Sequence, residues 1–323
     1  MSEQHALVLR VRGLSVAYLG ADAPVRAVEG MSLDVHRGEI IGLVGESGSG
    51  KSTAVLGMFR LLPPPAVITA GEVHFQGQDV LAMDEEALRQ LRWRDVSLVP
   101  QSALNALNPV LTVGAQFADT IQAHGPASNS EARARAAELL QLVELDPQHL
   151  DSYPHELSGG MRQRVAVALA LALRPPLILM DEPTTALDVV VEREILSRVM
   201  QLQREQGFAI LFITHDLSLL TEIATRIGVM YSGRLVELAP VDRVAAGGRH
   251  PYTQGLLRAM PRARGDGPPP ESIPGSPPRL TDPPPGCRFH PRCRLATARC
   301  HSEEPVLREI GPGHSVACHE VIA

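Results

Sequence analysis

The chain has 323 residues, an apolar fraction of 44%, a charged fraction of 20% and a formal net charge of −6. This is the composition of an ordinary globular chain with one large domain or two smaller ones, and its acidic balance argues against bulk affinity for nucleic acid or anionic lipid. The polar start, Met1 to His5, is unlike a secretory signal, and the longest aliphatic stretch, Val165 to Leu173, falls far short of the roughly 20 residues that span a bilayer. A cytoplasmic chain is expected, with any membrane role supplied by partners.

Leu7 to Val11, Leu14 to Tyr18, Met31 to Val35 and Glu72 to Phe75 are β-prone and partly alternating. They read as half-buried strands of an antiparallel layer leading into a buried strand at Ile41 to Val44. That strand opens a run of Gly45, Glu46, Ser47, Gly48, Ser49, Gly50, Lys51, Ser52 and Thr53, a G-x-x-x-x-G-K-S pattern. Lys51 is the sole lysine among thirty Lys and Arg residues. A compact ammonium on a thin stem reaches between phosphates where a planar guanidinium does not fit. The glycines let backbone N–H groups converge on one anion, and Ser52 offers a hydroxyl to Mg²⁺. Ala54 to Leu62 reads as a helix stopped by Pro63 to Pro65, its positive end facing the loop. The segment predicts a nucleoside triphosphate site.

Val96 to Val99 forms a further strand, with Gln101 just past its end as an amide able to sense Mg²⁺ and water. From Val113 to about Ser158 the pattern turns helical, clearest over Glu131 to Leu145. Leu177 to Met180 and Ala209 to Ile213 are continuous apolar runs, as expected of parallel strands covered on both faces. Glu192 to Gln206 makes an amphipathic crossover helix between them. Asp181 and Glu182 close the first of these strands and suit phosphoryl transfer to water: Asp181 on the metal side, Glu182 as the general base. His215, just past the second strand, is placed to touch a γ-phosphate. After about Gly248 the composition changes, with a Pro-, Gly- and Arg-dense stretch from Pro261 to Pro285, and all four cysteines follow it.

At Leu157, Ser158, Gly159, Gly160, Met161, Arg162 and Gln163 the sequence resembles the signature of the ATP-binding-cassette ATPases, and the order of the other motifs is similar to that family over roughly Leu7 to Leu238. The resemblance implies an α/β fold: a P-loop NTPase with a RecA-like core, an antiparallel β layer, a helical subdomain at about 102–165 and a small Cys-containing extension. It implies a nucleotide-binding domain over 1–248 and the extension over 249–323. It makes Tyr18 the aromatic that stacks on adenine, Gln101 a magnesium-sensing glutamine that joins Ser52 and Asp181 around the metal, and His215 the switch histidine. Asp188 becomes the residue that communicates between protomers. Family members pair head to tail with ATP between the phosphate loop of one subunit and the signature of the other, so hydrolysis is expected only in the pair.

His250 to Leu257 and Gly286 to Cys293 resemble the carboxy-terminal extension of oligopeptide and dipeptide importer ATPases, as do Tyr153 to Glu156 and Leu107 to Pro109. The resemblance implies a bacterial protein on the cytoplasmic face of the cell membrane that powers peptide import. Its expected partners are two membrane-spanning permease subunits, a sister ATP-binding subunit and an extracytoplasmic peptide-binding protein, with no nucleic acid. Nickel importers share part of this pattern. A soluble cassette ATPase acting on nucleic acid or ribosomes is the rival from another class; the chain has neither a second phosphate loop nor sustained heptads. A catalytically dead scaffold is opposed by the presence of Lys51, Asp181, Glu182 and His215.

Cys287, Cys293, Cys300 and Cys318 lack the close C-x-x-C pairs of common zinc ribbons. In a reducing compartment four thiolates suit Zn²⁺ or an iron–sulfur cluster rather than disulfides, and unligated thiols are the third reading. The peptide-importer resemblance implies a [4Fe–4S] cluster stapling a tail with few core residues. His290, His301, His314 and His319 are alternative ligands by chemistry, but are expected at the surface.

Overall fold

A computed structural model describes residues 6–20, 23–101, 106–184, 188–260 and 270–321. Met1 to His5, the first part of the Pro-rich stretch and part of the segment between Gln101 and Leu111 lie outside the described residues.

β1 (Leu7–Tyr18), β2 (Val25–His36) and β3 (Ile40–Val44) precede α1 (Lys51–Met58). β4 (Ala66–Phe75), β5 (Gln78–Asp79), α2 (Glu85–Leu91) and β6 (Val96–Val99) follow, then α3 (Val113–Gln122), α4 (Asn129–Leu142) and α5 (Gly159–Ala170). Next come β7 (Leu177–Asp181), α6 (Val189–Gln206), β8 (Ala209–Ile213), α7 (Leu217–Ile223), β9 (Arg226–Tyr231) and β10 (Arg234–Pro240). The last elements are α8 (Val241–Ala245), α9 (Pro251–Ala259), α10 (Ala298–Ser302), β11 (Arg308–Gly311) and β12 (His314–Val316).

Several boundaries differ from the sequence expectation: β2, β4 and α6 start earlier and α4 ends earlier, and three further differences have a local cause. The two short strands before Tyr18 are one, β1, whose pairing with β4 is irregular between Arg12 and Val16. There Gly71 has φ +108 and an added Cβ would sit 2.5 Å from Leu14 Cα, so the irregularity rests on a close backbone approach. α1 stops at Met58 rather than Leu62, because Arg60 turns to φ +52 and the Leu61 N–H returns to the Leu56 carbonyl at 2.9 Å. α4 starts at Asn129, two residues early, because Ser128 and Glu131 form a reciprocal capping box.

The described chain divides into two compact units. The first draws on residues 1–8, 36–38 and 82–212. In it β8, β7 and β6 lie side by side in that order, and β6 and β7 run parallel with Val96 opposite Leu177 and Val99 opposite Met180. Both β7 and β8 are buried along their whole length, which accounts for their unbroken apolar sequence; each fully buried Leu or Ile there contributes about 1.5–3 kcal/mol. Helix α6 starts from Asp188, whose Oδ1 accepts from the Val190 and Val191 N–H groups, and ends at Gly207 with φ +70. Phe117, Leu139, Leu140 and Leu150 fill the core beneath α3 and α4.

The second unit draws on residues 9–35, 39–81 and 213–323. Its antiparallel layer has the strand order β2-β1-β4-β5. β3 pairs parallel with β9, placing Val44 opposite Val229. β9 pairs antiparallel with β10, β10 with β12 and β12 with β11. The tail therefore continues a sheet, and Glu237 opposite Val316 marks the join. Tyr231, Tyr252 and Phe289 pack with ring centroids 4.7 to 5.4 Å apart. The expectation of a tail short of core residues is corrected: Tyr252 is fully buried and Phe289 is 4% exposed.

Candidate nucleotide site

The phosphate loop leaves β3 at Val44 and enters α1 at Lys51. Lys51 is 6% exposed, and its Nζ donates to the carbonyls of Gly45 at 2.8 Å and Glu46 at 3.1 Å and to Ser49 Oγ at 3.4 Å. Gly45 and Gly50 are required by space as well as conformation. An added Cβ on Gly45 would lie 2.2 Å from the Met230 carbonyl oxygen, and one on Gly50 2.2 Å from that of Ala27. Gly48 has φ +75 and open space on its Cβ side, so there only the left-handed backbone demands glycine. Ser47 and Gly48 are exposed, whereas Ser49 is 4% exposed.

Gly50 is the N-cap of α1; the helix start has no side-chain cap and no acid in its first turn. Its first N–H groups and positive end are thus suited to an anion. Open loop, buried ammonium and uncapped helix start together fit a bound polyphosphate. Tyr18 sits beside this helix, its hydroxyl 3.1 Å from Thr53 Oγ1. His215 is exposed. It follows Thr214, whose N–H donates to the Leu43 carbonyl at 3.2 Å, and it precedes Asp216, which caps α7 through the Ser218 and Leu219 N–H groups. The histidine is therefore anchored on both sides along the chain, next to the strand that feeds the loop.

In the first unit the acid pair closes β7. Asp181 is 6% exposed. Glu182 has φ +46, a left-handed conformation that a non-glycine residue adopts at a cost of about 1–3 kcal/mol. The β6–β7 register carries Gln101 next to it: Val99 lies opposite Met180, and two residues further along each strand Gln101 Nε2 donates to Glu182 Oε2 at 2.8 Å. The seven residues from Leu157 to Gln163 also behave as a unit. Leu157 is buried while Ser158 and Gly159 are exposed. Ser158 caps α5 by accepting from the Met161 N–H at 3.2 Å, and Arg162 Nη1 reaches the Pro154 carbonyl at 3.2 Å. Asp188 is described as the α6 cap, whereas Thr185 to Leu187 before it lie outside the described residues.

The expected iron–sulfur cluster is corrected. Among the described residues no group of three or more His, Cys, Asp and Glu side chains is arranged to hold a metal. All four cysteines are free, with Cys300 and Cys318 buried. Burial pushes the Cys287 thiol up to about 11 and raises Cys293 and Cys318 as well, so as free side chains these thiols stay neutral. The tail is held instead by sheet pairing, the aromatic cluster and buried ion pairs, which include Arg288 to Glu29 at 2.7 Å. The histidines named with the cysteines have other partners. His290 Nδ1 lies 2.9 Å from the Cys287 carbonyl, His319 Nε2 2.9 Å from that of Glu303, and His314 Nε2 2.8 Å from Glu237 Oε1. His314, at 7% exposure, is not a surface residue.

Sequence reasoning gave no role to Tyr252 or Arg292, yet both contact Glu46 in the phosphate loop. Separations of 206 and 246 residues leave no local pattern from which to infer them.

Residues 28–185 match the ABC transporter family, and residues 236–300 match the oligopeptide/dipeptide transporter carboxy-terminal region. The chain is 42% identical to the dipeptide transport ATP-binding protein DppD of Caldanaerobacter subterraneus, over 97% of each chain. It is 43% identical to the DppD of Escherichia coli (strain K12), over 97% of this chain and 96% of that one. Among solved structures, the ATP-binding cassette MJ0796 in a dimeric, post-hydrolysis state with ADP and Pi superposes with a TM-score of 0.67 at 30% identity, covering 72% of this chain and 98% of that one. CbiO1 from Clostridium perfringens, part of an ABC transporter complex, does so with a TM-score of 0.63 at 26% identity, over 75% and 91%.

Proposed function

The chain belongs to the ABC transporter ATP-binding family, and on that premise we propose that it is the ATP-hydrolysing subunit of an importer for di- and oligopeptides. The observation that carries the peptide assignment is its extent. The likeness to dipeptide transport ATPases runs through nearly the whole of both chains, and the peptide-transporter region is matched separately at 236–300. The nickel importer and the soluble nucleic-acid or ribosome factor gain no such support. We take 1–248 as the nucleotide-binding part, with a helical subdomain at about 102–165, and 249–323 as the extension. No helix among the described residues is long and apolar enough to cross a membrane. Work at the cytoplasmic face of the cell membrane therefore calls for permease partners, a second ATP-binding subunit, and an extracytoplasmic protein that delivers peptide.

The residues act in defined ways. The buried Lys51 ammonium and the N–H groups at the start of α1 hold the phosphates, and Tyr18 takes the adenine face. Ser52 and Asp181 carry hard oxygen donors of the kind Mg²⁺ prefers, and Gln101 brings an amide that senses the metal. The metal, when bound, neutralises charge on the transferring phosphoryl group. Glu182, whose carboxylate Gln101 holds at 2.8 Å, accepts the proton of the attacking water. His215 steadies the γ-phosphate. Ser158, Gly159 and Gly160 stand exposed or half-exposed at the start of α5, where a second subunit's nucleotide meets the positive end of another helix, one capped by Ser158 itself. Asp188, at the start of α6, faces the partner.

The test uses the chain assembled with its permease and sister subunits. Glu182→Gln keeps ATP affinity within a few-fold while turnover falls by about a hundredfold or more. Wild-type turnover in that variant refutes the assigned base. ATP-dependent uptake of a labelled dipeptide into vesicles carrying the assembly tests the substrate, and uptake of nickel in its place would overturn it.

A further inference from the structure

Glu46 is gripped on every polar group it has. Its carbonyl accepts from the Ser49 N–H and from Lys51 Nζ, both at 3.1 Å, and so shapes the loop from within. Its N–H donates outward to the Tyr252 hydroxyl at 2.9 Å. Its carboxylate receives both arms of Arg292, Nη1 on Oε2 at 2.7 Å and Nη2 on Oε1 at 2.9 Å. Two of these three groups are thus held by the tail.

Arg292 is built for this contact. Its side chain is 5% exposed against 28% for Glu46. Its Nε donates to the Pro274 carbonyl at 2.8 Å, Nη1 lies 3.4 Å from the Tyr231 hydroxyl, and the guanidinium carbon lies 5.8 Å from the Tyr231 ring centre. A fork fixed on this many sides loses little freedom in meeting a carboxylate, and the two-armed pair is stronger than a surface ion pair. Tyr252 is fully buried against Tyr231 and Phe289, so its hydroxyl is equally fixed. Ser47 and Gly48, by contrast, are exposed; Lys51 and Ser49 hold Glu46 from within the loop, and the tail supplies the holds from outside it.

We propose that Arg292 and Tyr252 are positioning residues for nucleotide binding, by which the carboxy-terminal tail holds the phosphate loop through Glu46 in the shape that receives phosphate. The proposal rests on the ATPase reading above. The ordering cost that would otherwise weaken nucleotide affinity is incurred when the tail folds. The clamp acts before chemistry, so its loss raises KM for ATP more than it lowers kcat.

The test titrates the full chain with Mg·ADP, which does not turn over, and measures steady-state ATP hydrolysis in the assembled transporter. Arg292→Gln, Glu46→Gln and Tyr252→Phe each raise the Mg·ADP Kd by about tenfold. The Glu46→Gln/Arg292→Gln double variant is no weaker than the worse single, because both remove one interaction. In the transporter, KM rises by a similar factor while kcat stays within about twofold. Affinities within twofold of wild type overturn the clamp, and so do single effects that add in the double variant or a fall confined to kcat. Should Arg292→Gln melt early because its site is buried, Tyr252→Phe decides, since it conserves shape and removes one hydroxyl. A wild-type chain with no affinity for Mg·ADP defeats the ATPase reading instead.

Discussion

His250 gives the tail a pH response that can be worked out from its surroundings. It is 1% exposed, its Nδ1 accepts from the Tyr252 N–H at 3.1 Å, and the Ala317 backbone bonds the ring as well. Burial is the largest influence and outweighs the nearby Glu237 carboxylate, pushing the imidazole down to about 4 from its ordinary 6.5. The unfolded chain gains a proton on this residue as pH drops below 6.5, and the folded chain resists until about 4. Stability is therefore complete above 6.5 and declines between 6.5 and 4. At 1.36 kcal/mol per pKa unit the loss over that window is about 3 kcal/mol. His250→Asn keeps an N-cap for α9 but forfeits the Ala317 bond and the contact with Phe289, at a cost of about 1.5 kcal/mol near pH 7.5. The variant has no proton to gain, so the two stability curves cross near pH ~5.5. Urea unfolding followed by circular dichroism across pH 4.5 to 7.5 measures the curves, and hydrogen exchange in α9 locates the effect. Parallel curves would refute the reasoning.

Three further outcomes follow from the geometry. Gly50→Ala collides with the Ala27 carbonyl at 2.2 Å and also carries φ +96, so it abolishes measurable Mg·ADP binding; Gly48→Ala meets nothing and loses only about 1 kcal/mol of affinity to backbone strain, as titration calorimetry would show. Gln101→Ala releases the Glu182 carboxylate, so kcat of the assembled transporter falls by about tenfold with KM for ATP little changed. Glu237 is fully buried and accepts from the Arg249 and His250 N–H groups at 2.8 and 2.9 Å, with His314 Nε2 at 2.8 Å. Glu237→Gln turns an acceptor into a donor there and lowers unfolding stability by about 3 kcal/mol, measured by denaturant titration.

Much of the nucleotide site is legible in the chain itself. Lys51, the glycines around it and the apolar strands ending at Val44 and Asp181 declare themselves, because phosphate binding needs adjacent residues and buried parallel strands need unbroken apolar runs. The partnership of Gln101 with Glu182 is not local: strand register alone brings the amide to the carboxylate across 81 positions. The tail shows the opposite failure. Its four cysteines suggested a metal staple, yet sheet pairing at Glu237 and Leu238 and the aromatic packing around Tyr231 hold it together. Which residue reaches Glu46 was decided only when the tail folded back on the loop. Hydrophobic periodicity specifies which faces are buried, but says nothing of which distant arginine will meet which carboxylate.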